Sequence, residues 1–114
     1  MVTFYPGEQE QGARFEFEFG RLSSLVADME ALRLGASPES LTKEEAPILD
    51  RWVMAQRPIP CLAGLSSGHP FLVGTGRAIA TSDLWLMSAD HSWARTLSRW
   101  YRLGRSAEHT GDHS

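Results

Sequence analysis

The candidates for acid–base or nucleophilic chemistry in this chain of 114 residues are six side chains: His69, Ser82, Asp83, Asp90, His91 and Ser98. A hydrolytic triad holds a nucleophile, a base and an orienting carboxylate within hydrogen-bond reach, and chain order alone does not bring these six together. Gly64-Leu-Ser66-Ser-Gly68 has the letters of a nucleophile elbow. That motif needs a strand-to-helix turn on a large sheet, and no helical pattern follows Gly68. His69 precedes Pro70, in the setting of a turn residue that bonds backbone, and stands as a possible turn or site residue. Glu108-His109 and Asp112-His113 lie four apart, but Thr110-Gly111 disfavours the helix that would align them. A chain end also lacks the supporting hydrogen bonds that hold metal ligands. Gly74-Thr-Gly76 has neither the spacing nor the Lys-Ser/Thr of a phosphate loop and is expected to be a hairpin turn. The single cysteine, Cys61, excludes an intrachain disulfide and a Cys₄ or Cys₂His₂ zinc site. No catalytic residue, cofactor or metal is assigned.

The segment from Trp93 to Arg105 has a different chemistry. Arg95, Arg99, Arg102 and Arg105 interleave with Trp93, Trp100 and Tyr101. Guanidinium forks grip carboxylate or phosphate bidentately and stack on rings. Trp, Tyr and Arg are the usual anchors of protein interfaces, and aromatics with arginines also suit single-stranded nucleic acid. A plainer assignment puts the rings in the core of a small sheet, with the arginines solvating its rim or pairing with acidic residues elsewhere. These seven residues are the expected partner-binding set.

Charge is unevenly placed. The net charge is −3, too acidic for the broad basic face of a dedicated DNA binder. Residues 1–50 hold ten acids and four bases, whereas residues 51–114 hold four acids and seven bases, all arginine. Such asymmetry marks either a polar partner surface or two halves that attract one another. No apolar run approaches the ~20 residues that span a bilayer, and the start of the chain lacks the basic and apolar regions of a signal peptide. With one cysteine, these features predict a cytoplasmic protein without membrane contact.

The length predicts one domain. Residues 1–13 are expected to form a mobile tail, residues 14–104 a single α+β domain, and residues 105–114 a second mobile tail. Phe15, Phe17 and Phe19 alternate with Glu16 and Glu18, the period of a strand. Phe15, Phe19, Leu22, Val26 and Met29 also fall at helical spacing, so residues 15–19 fit either element. Leu22, Leu25, Val26, Met29 and Leu32 make one apolar stripe of a helix over residues 21–34, stopped by Gly35. Ser37-Pro38 opens a short second helix that runs to Ala46, with Thr42 and Glu45 as a capping box. Residues 61–65 read as a short strand, residues 78–88 as a central strand, and Ala89-Asp-His-Ser92 as a hairpin turn. Trp93, Leu97 and Trp100 have helical spacing, with Ser92 as cap and Gly104 as stop, so residues 93–103 taken alone favour a helix.

The second half resembles a family of small bacterial proteins of unknown function, often encoded in variable or mobile regions. The match rests on Gly68-His69-Pro70, Ile79-Ala-Thr81-Ser82-Asp-Leu84-Trp85 and Trp93-Ala-Arg95-Thr96-Leu-Ser98-Arg99-Trp-Tyr101-Arg-Leu103-Gly104. Ala46-Pro47-Ile-Leu-Asp50 and Arg57-Pro-Ile-Pro60-Cys61-Leu fit it too, so it spans about residues 45–104. The resemblance implies a β-meander with residues 93–103 as its last strand, and it brings no activity, cofactor or catalytic residue.

The expected architecture is α+β: N-terminal helices packed on a small antiparallel β-meander of three or four strands. Leu22, Leu25, Val26, Met29, Leu32, Ile79, Leu84, Leu86 and Leu97 are the expected core, and Val26→Asp is expected to unfold the protein. Three functions fit: a non-enzymatic adaptor or inhibitor docking on a protein partner, such as a nucleic-acid-processing machine; a small nucleic-acid-binding module using residues 93–105; and a minor enzyme centred on His69 or on Asp90 and His91.

Overall fold

Strand propensity is concentrated after residue 60, and the computed structural model places five of the six strands among its described residues there. It describes residues 1–42, 45–72 and 74–107. The chain forms two compact units, Gly12–Arg57 and a second made of Met1–Gln11 with Pro58–Ser114. The fold is α+β.

In the first unit, helix α1 spans Ala13–Arg33. It settles residues 15–19 as helix and runs through Gly20, whose cost of ~1 kcal/mol relative to Ala is outweighed by the strong formers around it. Glu16 in the first turn and Arg33 in the last complement the helix dipole. Gly35 ends the helix as its position predicts. At φ +96° it lets its own amide reach Leu32 O at 2.9 Å and the Ala36 amide reach Ala31 O at 3.0 Å, the paired bonds of a Schellman motif. Helix α2 is a single turn, Pro38–Leu41, with Pro38 at its start. It stops five residues short of Ala46 because Thr42 is already extended, at φ −86° and ψ 129°. Residues 43 and 44 of the expected capping box lie outside the described residues. Residues 45–57 form neither helix nor strand.

The second unit holds strands β1 (Val2–Phe4), β2 (Ala63–Ser66), β3 (Arg77–Ala80), β4 (Leu84–Ser88), β5 (Trp93–Thr96) and β6 (Trp100–Arg102). A four-stranded sheet has the order β1-β4-β5-β6, and β2 pairs with β3 in a separate hairpin. The meander β4-β5-β6 is antiparallel, but β1 joins β4 in parallel, with Val2 opposite Leu86 and Phe4 opposite Ser88. Three expectations are corrected here. Residues 2–4, expected within a tail, are a strand. Residues 78–88 are two strands rather than one, because Thr81-Ser82-Asp83 turns the chain: Thr81 Oγ1 accepts the Leu62 amide at 3.0 Å and donates to Ser82 O at 2.8 Å. Residues 93–103 are neither a helix nor one strand. They are β5 and β6, joined by a turn in which Thr96 Oγ1 accepts the amides of Ser98 and Arg99, both at 3.2 Å.

The core is small. Val2, Leu84 and Ala94 are its buried apolar residues, joined by Ser88 and Thr96. Of the expected core, Leu84 is buried and Leu22, Ile79 and Leu86 are half-buried. Leu25, Val26, Met29, Leu32 and Leu97 are exposed, and α1 buries none of its residues. Periodicity identifies an apolar face; it does not say that anything covers it. Val26 is 51% exposed, so an aspartate there meets water, and the expected unfolding by Val26→Asp does not follow from the structure.

Candidate functional site

Strand alternation sorts the Arg/aromatic segment. Side chains on successive strand residues point to opposite faces, and directly paired residues share a face. Trp93 pairs with Arg102, and Arg95 pairs with Trp100 and Leu86. One face of the sheet therefore carries Trp93, Arg95, Trp100 and Arg102, continued on β1 by Val2 and Phe4. The opposite face carries Ala94, Thr96 and Tyr101.

The first face is a cluster of rings with arginines beside them. Trp93 and Trp100 meet edge to face at 6.2 Å, and Phe4 meets Trp100 at 5.5 Å, also edge to face. Three strand intervals of ~4.8 Å separate β1 from β6 in the pairing order. The rings must therefore lean inward over the sheet, and small Ser88 opposite Phe4 leaves room for them. Trp93 is 41% and Trp100 50% exposed. Half-exposed indoles beside guanidinium groups are costly to leave in water and ready to be covered. Among the described residues the only ion pair is Arg21–Glu18, within α1 at 2.9 Å. Arg95, Arg99, Arg102 and Arg105 thus have no carboxylate partner among them.

The remaining predicted residues are placed elsewhere. Arg99 sits in the β5–β6 turn and stacks over the Phe71 ring, 5.4 Å from its centroid. Tyr101, on the other face, lies 6.2 Å from the His69 ring. Arg105 is exposed beyond β6. Sequence reasoning missed Phe4, although Val2-Thr-Phe4 has the strand alternation that would have found it. It also missed Phe71, for which spacing gave no signal.

His69 is held as a turn residue. Its Nδ1 accepts the amides of Phe71 and Leu72, both at 3.1 Å, which fixes the neutral ring with its proton on Nε2. Desolvation, and then the positive charge of Arg99, lower its pKa below the ordinary imidazole value. Ser82 and Ser98 hydroxyls bond each other at 2.8 Å. Ser66 ends β2 and is followed by a bend rather than a helix. Among the described residues no three His, Cys, Asp or Glu side chains gather as metal ligands. Glu108, His109, Asp112 and His113 lie outside the described residues.

The turn that precedes Trp93 is tightly bonded. Asp90 Oδ1 accepts the Ser92 hydroxyl at 2.6 Å, the Ser88 hydroxyl at 2.8 Å and the Ser92 amide at 3.0 Å. These bonds, led by that of the Ser92 hydroxyl, hold its pKa down at about 2. Ser88 Oγ in turn accepts the amides of Trp93 at 2.9 Å and Ser92 at 3.0 Å. His91 takes the left-handed backbone, φ 61°, that closes the turn. Asp90 and His91 are thus committed to positioning Trp93.

These features define a mixed α+β protein with an exposed aromatic–arginine sheet face. The chain belongs to a family of unknown function (DUF6634), whose model matches residues 20–112. That range takes in β2–β6 and most of α1, while β1 with Phe4 lies before it. No curated protein and no solved structure matches the chain. Among the described residues no helix is long and apolar enough to cross a membrane.

Proposed function

We propose that this protein is a non-enzymatic interaction module, an adaptor or inhibitor that docks on a protein partner through the sheet face of Phe4, Trp93, Arg95, Trp100 and Arg102. The observation that carries this reading is the pair of half-exposed, mutually packed tryptophans flanked by arginines with no carboxylate partner among the described residues. Such a face fits a partner with an apolar centre rimmed by aspartate and glutamate: the rings lose water and each guanidinium gains a fork-like bond. Arg99 and Arg105 lie off the ring cluster and would act through longer-range attraction. A nucleic-acid-processing machine as partner rests on analogy with the variable or mobile regions that the resemblance of the second half implies. A bacterial, cytoplasmic setting goes with this reading, since Cys61 is a free, exposed thiol that a reducing compartment preserves.

The same face supports nucleic acid as a second reading, because rings beside arginines offer stacking and phosphate contacts to a single strand. Two measurements separate them. In the first, the wild type and an Arg95→Ala/Arg102→Ala variant capture partners from nuclease-treated native extract. A stoichiometric protein retained by the wild type and lost by the variant supports the docking reading. In the second, single- and double-stranded oligonucleotides are titrated across a salt series by fluorescence anisotropy. Affinity that falls steeply with salt moves the function to nucleic acid, with the slope counting phosphates neutralised. No specific binding in either measurement sinks the assignment of this face.

A further inference from the structure

We propose that α1 is a self-association surface through which two copies of the chain pair antiparallel. This goes beyond the sheet face and rests on different residues. Helix α1 is 21 residues long and buries none of them. Phe19, Val26 and Met29 are 60%, 51% and 58% exposed. Helices in proteins are held mainly by packing an apolar face. The face here is phased for a second helix. Phe15, Phe19, Leu22, Val26 and Met29 are spaced four, three, four and three residues apart, the seam of a coiled coil. The helix surface also carries a shallow depression lined by Phe19, Leu22, Ser23, Val26, Ala27 and Glu30. Those six make two consecutive four-residue holes of the kind that receive a side chain from a facing helix.

The register selects a second copy as the occupant. Run antiparallel, the helix pairs Phe19 with Met29, Leu22 with Val26, and Phe15 with Arg33 of the other copy. Each apolar seam position then meets another seam position. The one cation on the seam, Arg33, lies over a phenyl ring beside Glu16 of the facing first turn, a favourable setting for a guanidinium. Ser23 faces Ser23 on one flank, and Leu25 faces Leu25 on the other. A parallel pairing would instead oppose Arg33 to Arg33. Five exposed side chains per copy (Phe19, Leu25, Val26, Met29 and Leu32) offer on the order of 100 Å² each. Their burial removes about 1,000 Å² in total, the size at which specific interfaces begin.

The test is the mass of the full chain by sedimentation velocity from about 1 to 200 μM, a range spanning the affinities of interfaces this small. A concentration-dependent dimer is expected for the wild type. Leu22→Glu and Val26→Glu each place like charges at the seam and should weaken association on the order of 100-fold. The tryptophan fluorescence of the sheet should stay unchanged, which separates lost pairing from lost folding. Orientation is read in a Cys61→Ser background with a short bis-maleimide. Ser23→Cys should cross-link and Arg33→Cys should not. A wild type that stays monomeric throughout overturns the proposal, as does a dimer indifferent to both glutamate variants, or cross-linking at position 33 without position 23.

Discussion

Ser88 is a buried side chain on which the sheet face depends, and its removal has a calculable effect. It is fully buried, and its hydroxyl accepts the Trp93 and Ser92 amides and donates to Asp90. Ser88→Ala keeps the volume but deletes these three bonds, together with the longer contacts of the hydroxyl to Ser92 Oγ and Trp93 O. The Ser92 amide retains Asp90 Oδ1 at 3.0 Å, whereas the Trp93 amide loses the hydroxyl oxygen at the mouth of β5. At about 1 kcal/mol net for each bond lost, softened by the retained one, the expected destabilisation is about 2–3 kcal/mol. For a domain of this size that lowers Tm by about 10–15 °C. The assay is paired thermal and urea unfolding followed by tryptophan fluorescence, with Leu97→Ala, at an exposed turn position, as a neutral control. A loss below about 0.5 kcal/mol at unchanged urea slope, the size of an ordinary surface substitution, would refute the idea that Ser88 anchors this turn. In that case the position of Trp93 would have to come from strand pairing alone.

Two further outcomes concern pH. The Asp90 carboxylate is held at about 2 in the folded chain, so its contribution is fully present above the ordinary carboxylate value and is lost as pH falls towards 2. Asp90→Asn should flatten the stability profile between about pH 5 and 2, and a profile as steep as the wild type's removes Asp90 from the account. His69 has a lowered pKa because its ring is partly desolvated and Arg99 is near. The unfolded chain therefore takes up the proton first, and stability declines as pH falls below about 6.5. His69→Gln should remove that decline while Asp90→Asn leaves it in place, as urea unfolding at a series of pH values would show.

The sequence by itself determined the local events, where one or two residues decide the backbone. Gly35 stops α1 because it can adopt positive φ. Pro38 opens α2, and Ala89-Asp-His-Ser92 turns between strands because Asp90 can bond two residues onward. The α+β class was legible for the same reason, as a long period-3.6 stripe followed by short β-rich segments between turns. Tertiary structure decided everything that depends on a distant partner. Residues 93–103 have helical spacing, but Leu86 and Met87 of β4 hold Arg95 and Ala94 in a ladder, and pairing outweighs a weak local preference. Residues 2–4 carry a short alternation that means little until β4 offers an edge. Of the seven Arg/aromatic residues expected to act together, four share a face, because the strand period separates Tyr101 from Trp100 and the β5–β6 turn carries Arg99 away. Burial was the least legible property: the stripe on α1 was readable to the residue, but a stripe becomes core only when something lies against it.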